Sequence, residues 1–286
     1  MNHIVSDKDR AILDHYTSMI AAHMKASHDA GNQRQTVAEY RAMMLAINPY
    51  KFPAGYEPVP VASFESKRQL HPGLTASISI PNGIGPFPII VHAHGHGLRA
   101  GRPPEYEPWI RFMSSYGFIV IFPDYRWAPE ATFAEQLDDM MFAINWAREN
   151  ATSINGDPQR MILGGDSAGG GIAVAALMKT LDDPHGVRFV AFECVDGAIN
   201  GPPVDRHILD RITPATPLPP TIIMVGSADL DTAAGEATAA LALSNARKPF
   251  QLHIYFGVPH DFMKFPELDV MHQANDEMMK WLLKLV

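Results

Sequence analysis

Seven short apolar runs, separated by stretches with helical spacing, constrain the fold of this chain most strongly. The runs are "TASISI" (75–80), "FPIIVHA" (87–93), "FIVIF" (118–122), "RMILG" (160–164), "FVAFEC" (189–194), "TIIMVG" (221–226) and "QLHIYF" (251–256). Helical stretches fall near 105–116, 133–150, 168–181, 233–247 and 270–285. This alternation predicts an α/β fold with a mostly parallel sheet covered by helices on both faces. We expect its chemistry at the carboxyl ends of the strands.

The first 48 residues differ from the rest because they contain no strand-like run. "DKDRAILDHYTSMIAAHMKASHDA" (7–30) and "TVAEYRAMMLAI" (36–47) have apolar residues at three- and four-residue steps, which predicts two helices. Pro49, Pro53, Pro58 and Pro60 then interrupt the helical pattern. We therefore expect a helical cap or lid segment over 1–48 and an α/β domain over 49–286.

Composition excludes several classes of function. The formal charge of −8, without a run of five basic residues, argues against a nucleic-acid-binding surface. The single cysteine, Cys194, excludes an intrachain disulfide and a cysteine-rich metal site. The N-terminus lacks the pattern of a signal peptide, and no window holds eighteen apolar residues. We expect a soluble cytoplasmic protein with no membrane span.

The stretch "RMILGGDSAGGGIAVAAL" (160–177) joins a strand, a tight turn and a small-residue helix without a gap. A serine on a very sharp strand-to-helix turn needs glycines two residues before and after it, where side chains would collide. Gly165, Ser167 and Gly169 have this spacing. The pattern predicts a nucleophilic serine at Ser167, while a closely packed or phosphate-binding helix start is the alternative.

A nucleophilic serine needs a base and an orienting acid, each after a later strand. "SADLDTAAG" (227–235) follows one strand and offers Asp229 or Asp231, of which Asp229 is closer to the strand end and Asp231 suits a helix N-cap. His260 follows the last strand, whereas His253 lies inside that strand and His272 in the last helix. We favour Asp229 and His260, with Asp231 left open.

The stretch "VHAHGHGLRAG" (91–101) places His92, His94 and His96 at alternate positions. On an extended segment they would share a face, as zinc ligands could. No Asp, Glu or Cys lies close in sequence, and the stretch continues into glycines. We therefore favour a packed strand histidine at His92, a loop-holding hydrogen-bonding residue at His94, and no metal.

Three motifs together resemble the hormone-sensitive-lipase-like group of α/β-hydrolase esterases. "GDSAGG" (165–170) is similar to that group's serine motif, and "HGHG" (94–97) to its His-Gly-Gly-Gly loop. "DYRWAPE" (124–130) looks like its Asp-Tyr-Arg-Leu-Ala-Pro-Glu motif, with Trp127 in place of leucine. The resemblance runs from about Pro86 to Phe262, and it implies an α/β-hydrolase catalytic domain over 49–286.

The resemblance also implies an oxyanion hole. Carried over by position, its donors are the backbone amides of His96, Gly97 and Ala168, where His96 departs from the family's glycine. A backbone amide serves whatever side chain it carries, although a left-handed His96 would cost on the order of 1–2 kcal/mol. Supporting roles fall to His94, Gly95 and Asp166, and to Asp124 and Arg126, whose spacing suggests a carboxylate–guanidinium pair that braces the nearby loops.

The cover of the site is expected to be unusual for the family. Between "FVAFEC" and "TIIMVG" lie only 26 residues. Six of them are proline: Pro202, Pro203, Pro214, Pro217, Pro219 and Pro220. The family usually has a longer helical excursion there, so the N-terminal helices or a partner subunit would cover the pocket. The methionines of those helices (Met19, Met24, Met43 and Met44) fit either a lid surface or an ordinary core.

The expected function is therefore that of a serine carboxylesterase for small carboxylic esters, working through Ser167, His260 and Asp229 with no cofactor. An amidase, formamidase or lactonase on the same triad is the alternative. A ligand-binding or non-hydrolytic homologue is a third reading, because fold alone does not fix function. The resemblance leaves the oligomeric state open, although members of the family often form homodimers.

Overall fold

A nine-stranded sheet forms the centre of the part of the chain that the computed structural model describes, namely residues 2–14, 18, 36–47, 57–101, 106–199, 207–229 and 232–286. The strands are β1 (Asn2–Ile4), β2 (Ser63–His71), β3 (Leu74–Ile80), β4 (Phe87–Ala93), β5 (Ile119–Pro123), β6 (Gly156–Asp166), β7 (Ala191–Val195), β8 (Thr221–Gly226) and β9 (Phe250–Phe256). Their order across the sheet is β1-β9-β8-β7-β6-β4-β5-β3-β2.

Most neighbouring strands run parallel, as the sequence predicts. All pairs from β1 through β9, β8, β7, β6 and β4 to β5 are parallel, and only the pairs β5–β3 and β3–β2 are antiparallel. The parallel strands therefore end along the same edge, where the loops after β4, β6, β8 and β9 meet. The predicted α/β fold with a mostly parallel sheet is confirmed.

Helices cover both faces of the sheet. They are α1 (Val37–Ile47), α2 (Glu107–Ser115), α3 (Phe133–Asn150), α4 (Ala168–Asp182), α5 (Ala233–Asn245) and α6 (Asp269–Leu282). Buried residues of α3, α4 and α5 form one apolar core, and those of α2 and α6 form another. Adjacent residues of β4 point to opposite faces, so Ile89 joins the first core and Ile90 the second.

Two strands were not expected from the sequence. The edge strand β2 reads "SFESKRQLH" and is largely exposed, so it lacks the apolar run that marks a central strand. The expectation that the first 48 residues contain no strand was wrong, because β1 pairs in parallel with β9. Three residues are too few for a recognisable period, and only the partner strand reveals their role.

The start of the chain is also joined to its last helix. Residues 7–14 are helical, and buried Asp9 accepts hydrogen bonds from the amides of Asp269 at 2.9 Å and Val270 at 2.8 Å. These amides belong to the first turn of α6, where no carbonyl within the helix can accept them. Asp9 therefore caps a helix that lies some 260 residues further along the chain.

Part of the predicted cap can be placed. Residues 7–14 and α1 (Val37–Ile47) are helical as predicted, whereas Met19 and Met24 lie outside the described residues, and the side chains of Met43 and Met44 are likewise not described. The division into a cap over 1–48 and a domain over 49–286 stays a prediction. Within the described ranges, no helix combines the length and apolar character needed to cross a membrane.

Replacing Asp9 with alanine tests the cap on α6. We expect Asp9→Ala to lower the free energy of unfolding by about 1–2 kcal/mol, because one buried and one part-buried amide lose their acceptor. Urea denaturation followed by circular dichroism measures this, and exposed Asp14→Ala should change stability by less than about 0.5 kcal/mol. Equal effects of the two substitutions would show that Asp9 does not act as a cap.

Candidate active site

Ser167 lies on a sharp turn between β6 and α4, with φ 51° and ψ −129°. A Cβ atom on Gly165 would lie 2.5 Å from the carbonyl oxygen of Gly169, and one on Gly169 would lie 2.1 Å from that of Ala93. Both distances are too short for any side chain, so the two glycines are sterically required. The glycine spacing that the sequence shows thus follows from close packing of β6 against the start of α4, and of that helix start against the end of β4.

The three predicted triad residues come together at the carboxyl edge of the sheet. Ser167 Oγ lies 2.8 Å from Nε2 of His260, and Nδ1 of the same ring lies 2.7 Å from Oδ2 of Asp229. The three residues follow β6, β8 and β9, whose ends share one edge. The hydroxyl, imidazole and carboxylate form a continuous hydrogen-bonded chain, which is the arrangement that activates a serine.

The side chain of Asp229 is held by Thr232, three residues further along the chain. Its carboxylate accepts hydrogen bonds from the amide of Thr232 at 3.0 Å and from the hydroxyl of Thr232. Burial opposes ionisation of this carboxyl, but the hydrogen bond and charge of His260, with the bonds from Thr232, lower its pKa to about 2. Asp229 is therefore a carboxylate near neutral pH. The alternative acid, Asp231, lies outside the described residues.

Carboxylates surround the imidazole of His260. Burial lowers the pKa of His260, but Asp261, Asp229 and Asp196 together raise it above its ordinary value of 6.5. Asp196 follows β7 and accepts hydrogen bonds from the amides of Gly226 at 3.1 Å and Asp261 at 2.9 Å. Asp196 thereby joins the end of β8 to the residue that follows His260.

Aromatic and acidic side chains hold the loop of residues 94–97. The ring of His94 stacks on that of Tyr125, with centroids 4.2 Å apart, and the Tyr125 hydroxyl donates to the His94 carbonyl. The amide of Gly95 lies 3.1 Å from both the Tyr106 hydroxyl and Oδ2 of Asp166. A Cβ on Gly95 would lie 2.5 Å from that carboxylate oxygen, so this position requires glycine.

His96 adopts the left-handed conformation considered from the sequence, with φ 70°. Its Nδ1 lies 2.9 Å from the Tyr106 hydroxyl, and the ring is buried. Burial and the charge of Lys264 lower the pKa of His96 to about 4, so the ring is neutral near pH 7. Gly97 follows with φ 63°, and Ala168 is the first residue of α4, so its N–H has no acceptor within the helix.

Each of the three histidines of "VHAHGHG" contacts other side chains of the protein. The two ring nitrogens of buried His92 contact Glu193 and Asp166, the latter at 2.9 Å. The His94 ring contacts Tyr125, and the His96 ring contacts Tyr106. Among the described residues, a cluster compatible with a metal ion comprises Asp196, His260 and Asp261, and it contains none of these three histidines.

Arg126 does not pair with Asp124. Its guanidinium binds Asp139 of α3, with Nε to Oδ2 at 2.8 Å and Nη2 to Oδ1 at 2.9 Å. The side chain of Asp124 instead accepts from Thr75 at 3.4 Å. The expected pair of Asp124 with Arg126 is therefore wrong. Helix α3, which follows the motif, places Asp139 beside Arg126, and the two side chains form a bidentate ion pair. In this motif, the hydroxyl of Tyr125 donates a hydrogen bond to the loop of residues 94–97.

Comparisons with known proteins identify the type of fold. The family described as "alpha/beta hydrolase fold" matches residues 90–199. Carboxylesterase NlhH of Mycobacterium tuberculosis is 37% identical over 101 residues, which are 34% of this chain and 32% of that protein. Hormone-sensitive lipase of Mus musculus is 32% identical over 101 residues, 35% of this chain and 13% of that protein. A solved esterase of the bacterial hormone-sensitive lipase family has a TM-score of 0.74 at 23% identity, covering 96% of this chain and 97% of that one.

The chain has an α/β-hydrolase fold, and part of it is similar in sequence to carboxylesterase NlhH and to hormone-sensitive lipase. The resemblance carried by the serine motif, the histidine–glycine loop and the Asp-Tyr-Arg motif is therefore confirmed. The aligned segment spans less than half of each of these two curated relatives, 32% and 13%. The likeness therefore concerns the fold and its motifs rather than whole proteins.

Several polar residues of this α/β-hydrolase site were not singled out from the sequence. Asp261 and Lys264 lie in the loop after β9, Asp196 after β7, Tyr106 before α2, and Glu193 within β7. Two of them have a weak signal in the sequence: Asp261 directly follows His260, and Lys264 follows Asp261 at the i,i+3 spacing of an ion pair. Nothing in the local sequence indicates that Lys264 is buried.

Gly169 offers a direct test of the steric account of the turn. We expect Gly169→Ala to lower the free energy of unfolding by about 2 kcal/mol or more, because the added Cβ overlaps backbone that cannot move independently. The matched control is Gly73→Ala, where φ is 97° and nothing lies within 4 Å of the added atom, so only about 1 kcal/mol of backbone strain is expected. A smaller loss at Gly169 than at Gly73, measured by urea denaturation, would contradict this account.

Proposed function

We propose that this chain is a serine carboxylesterase that cleaves small carboxylic esters. The observation that carries the proposal is the hydrogen-bonded chain from Ser167 Oγ through the His260 ring to Asp229, with separations of 2.8 Å and 2.7 Å. The placement of the serine at the N-terminus of α4 supports it further, because negative charge developing beside it is stabilised there.

In the first half of the proposed reaction, Ser167 Oγ attacks the ester carbonyl carbon while its proton passes to Nε2 of His260. Asp229 holds Nδ1, so the ring has the correct tautomer and the imidazolium is stabilised. The proton then moves from Nε2 to the departing alkoxide, and the alcohol leaves. The acyl group remains on Ser167 as an ester.

In the second half, a water molecule takes the place of the alcohol. Nε2 of His260 accepts a proton from the water, whose oxygen attacks the acyl carbon, and the proton then returns to Ser167 as the carboxylic acid leaves. The amides of His96, Gly97 and Ala168 are proposed as donors to the tetrahedral oxyanion in both halves. These steps consume only ester and water, so the proposal needs no cofactor.

The names of the relatives support an ester rather than an amide as the substrate. NlhH is a carboxylesterase, and the solved structure cited above is an esterase.

The cover of the site is proposed to come from the N-terminal segment. In support, Arg41 of α1 donates through Nε to the carbonyl of Arg99 at 2.7 Å, just beyond the oxyanion loop, and its guanidinium binds Glu130.

Removing the nucleophile is the primary test. We expect Ser167→Ala to lower turnover of a short-chain nitrophenyl ester by at least roughly 10³-fold, since the acyl group then has no acceptor. An organophosphonate should label the wild-type protein at Ser167 and leave Ser167→Ala unlabelled. Exposed Ser153→Ala should behave as wild type in both assays. Near-wild-type turnover by Ser167→Ala would rule out the proposed mechanism.

Two aspartates can be compared to identify the orienting acid. Asp229→Asn should lower kcat by roughly 10³–10⁴-fold, because the amide favours the wrong histidine tautomer, whereas Asp231→Asn should have little effect. The pH dependence of kcat/KM gives a second readout. Activity requires neutral His260, so it should fall as the pH is lowered through a pKa above 6.5.

The pH profile of kcat/KM also tests the effect of Asp229 on the pKa of His260. Removing the carboxylate that raises the pKa of His260 should move the acidic limb of the Asp229→Asn profile to lower pH. An acidic limb that moves only in Asp231→Asn would assign the orienting role to Asp231.

A further inference from the structure

Lys264 is a cation enclosed within the candidate active site. Its side chain is fully buried, and Nζ contacts Oδ2 of Asp166 and lies 2.6 Å from Oδ1 of Asp261. The same atom lies 5.2 Å from the ring centroid of Tyr106. A buried ammonium is costly unless it is paired, so its position among these groups is tightly determined.

The two acidic partners of Lys264 flank the proposed nucleophile and base. Asp166 directly precedes Ser167, and Asp261 directly follows His260. The oxygen of Asp166 that contacts Lys264 also accepts from the amide of Gly95 in the oxyanion loop. One ammonium therefore joins the nucleophile turn and the histidine loop, and reaches the oxyanion loop through a shared carboxylate oxygen.

Asp261 is placed where it could compete with Ser167. Its Oδ1 lies 3.6 Å from Nε2 of His260, the atom that lies 2.8 Å from Ser167 Oγ. An unpaired carboxylate at that distance would attract the Nε2 proton and stabilise the imidazolium. That same carboxylate oxygen lies 2.6 Å from the Lys264 ammonium.

The surroundings of Asp261 keep its carboxylate ionised. Asp261 has φ 65°, a left-handed conformation that aspartate tolerates better than most residues do. Its side chain lies between His260 and Lys264. Burial opposes its ionisation, but Lys264 and His260 hold the pKa of Asp261 below its ordinary value.

We propose that Lys264 is a positioning residue that neutralises Asp261, so that Nε2 of His260 faces Ser167 rather than the neighbouring carboxylate. This inference rests on the proposed function of Ser167 and His260. The inference adds that the pKa of His260 depends on the Lys264–Asp261 ion pair as well as on Asp229. Lys264 acts through its two carboxylate partners and has no assigned contact with the substrate.

Titratable groups from every neighbouring element contribute to the same field. Those facing the His260–Lys264 cluster are Asp166 at the end of β6, Asp196 after β7, Asp229 after β8, Glu236 in α5, Asp261 after His260, His94 and His96 in the 94–97 loop, His92 in β4, Tyr106 before α2, and Tyr125 after β5. The test must therefore separate the effect of the Lys264–Asp261 pair on the pKa of His260 from the effects of these other groups. Comparing single variants with the double variant achieves this.

The experiment is a titration of the His260 ring by NMR in the full-length protein, with the signal assigned by its loss in His260→Ala. In Lys264→Met, we expect the pKa of His260 to rise by at least about one unit, because Asp261 is no longer neutralised. In Lys264→Met/Asp261→Asn, most of that rise should disappear. The ester assay should rank the variants in the same way. At pH 7, kcat/KM of Lys264→Met should fall by at least roughly tenfold, and this loss should become smaller at higher pH.

Asp261→Asn alone keeps the proposal testable if Lys264→Met does not fold. This variant retains Lys264 and its contact with Asp166, and it should lower the pKa of His260. Lys280→Met is the matched control, since Lys280 is exposed and pairs with Asp276 at 2.6 Å on the surface of α6. It should leave the titration and the activity profile unchanged.

The outcomes separate this proposal from the proposed function. A His260 pKa that does not change in Lys264→Met, or does not fall in Asp261→Asn, would overturn the role of Lys264 even in an active esterase. Loss of kcat/KM by the same factor at every pH would indicate a purely structural role and would also overturn it. If the wild-type protein does not hydrolyse esters, the proposed function fails while the NMR titration still decides the role of Lys264.

Discussion

The backbone of Ser167, held at φ 51° and ψ −129° between a buried strand and a buried helix, is the constraint on which the site depends. A non-glycine residue in such a conformation costs on the order of 1–3 kcal/mol, so its surroundings must hold it there. The Ser167 amide donates to Val195, and its carbonyl accepts from Gly170 and Ala198, at 2.8–3.0 Å. Close packing of the flanking glycines fixes the same turn sterically. The hydroxyl is therefore directed at His260 by backbone geometry before any substrate arrives.

Beneath this turn, the loops are joined by buried charge. Asp166 contacts His92, Lys264 and the amide of Gly95, so one carboxylate bonds both the end of β4 with its following loop and the segment around Lys264. Burial opposes its ionisation, yet Lys264 and His92 hold the pKa of Asp166 well below the ordinary value. Removing one partner from such a network leaves an uncompensated buried charge, which is more damaging than never having the pair. The turn at Ser167, the loop of residues 94–97 and the loop after β9 therefore depend on one another electrostatically.

Local pattern predicted seven of the nine described strands and the three candidate catalytic positions, because each depends on short-range signals. The runs at 87–93 and 221–226 match β4 and β8 at both ends, since fully buried strands are continuously apolar. Contacts between distant segments could not be predicted in this way. Arg126 binds Asp139 rather than nearby Asp124, and Lys264 meets Asp166 across almost a hundred residues. Such pairs are decided by packing of whole elements and leave no periodicity in the sequence.

The central claim is that Ser167, activated by His260, carries the acyl group during ester hydrolysis. Its most direct test is rapid mixing with a nitrophenyl ester, acid quenching before steady state, and peptide mass spectrometry. The account predicts a transient mass increase of one acyl group on the peptide that contains Ser167, formed in step with an initial burst of nitrophenol. Nitrophenol release without any acylated Ser167, or with the acyl group on another residue, would contradict it.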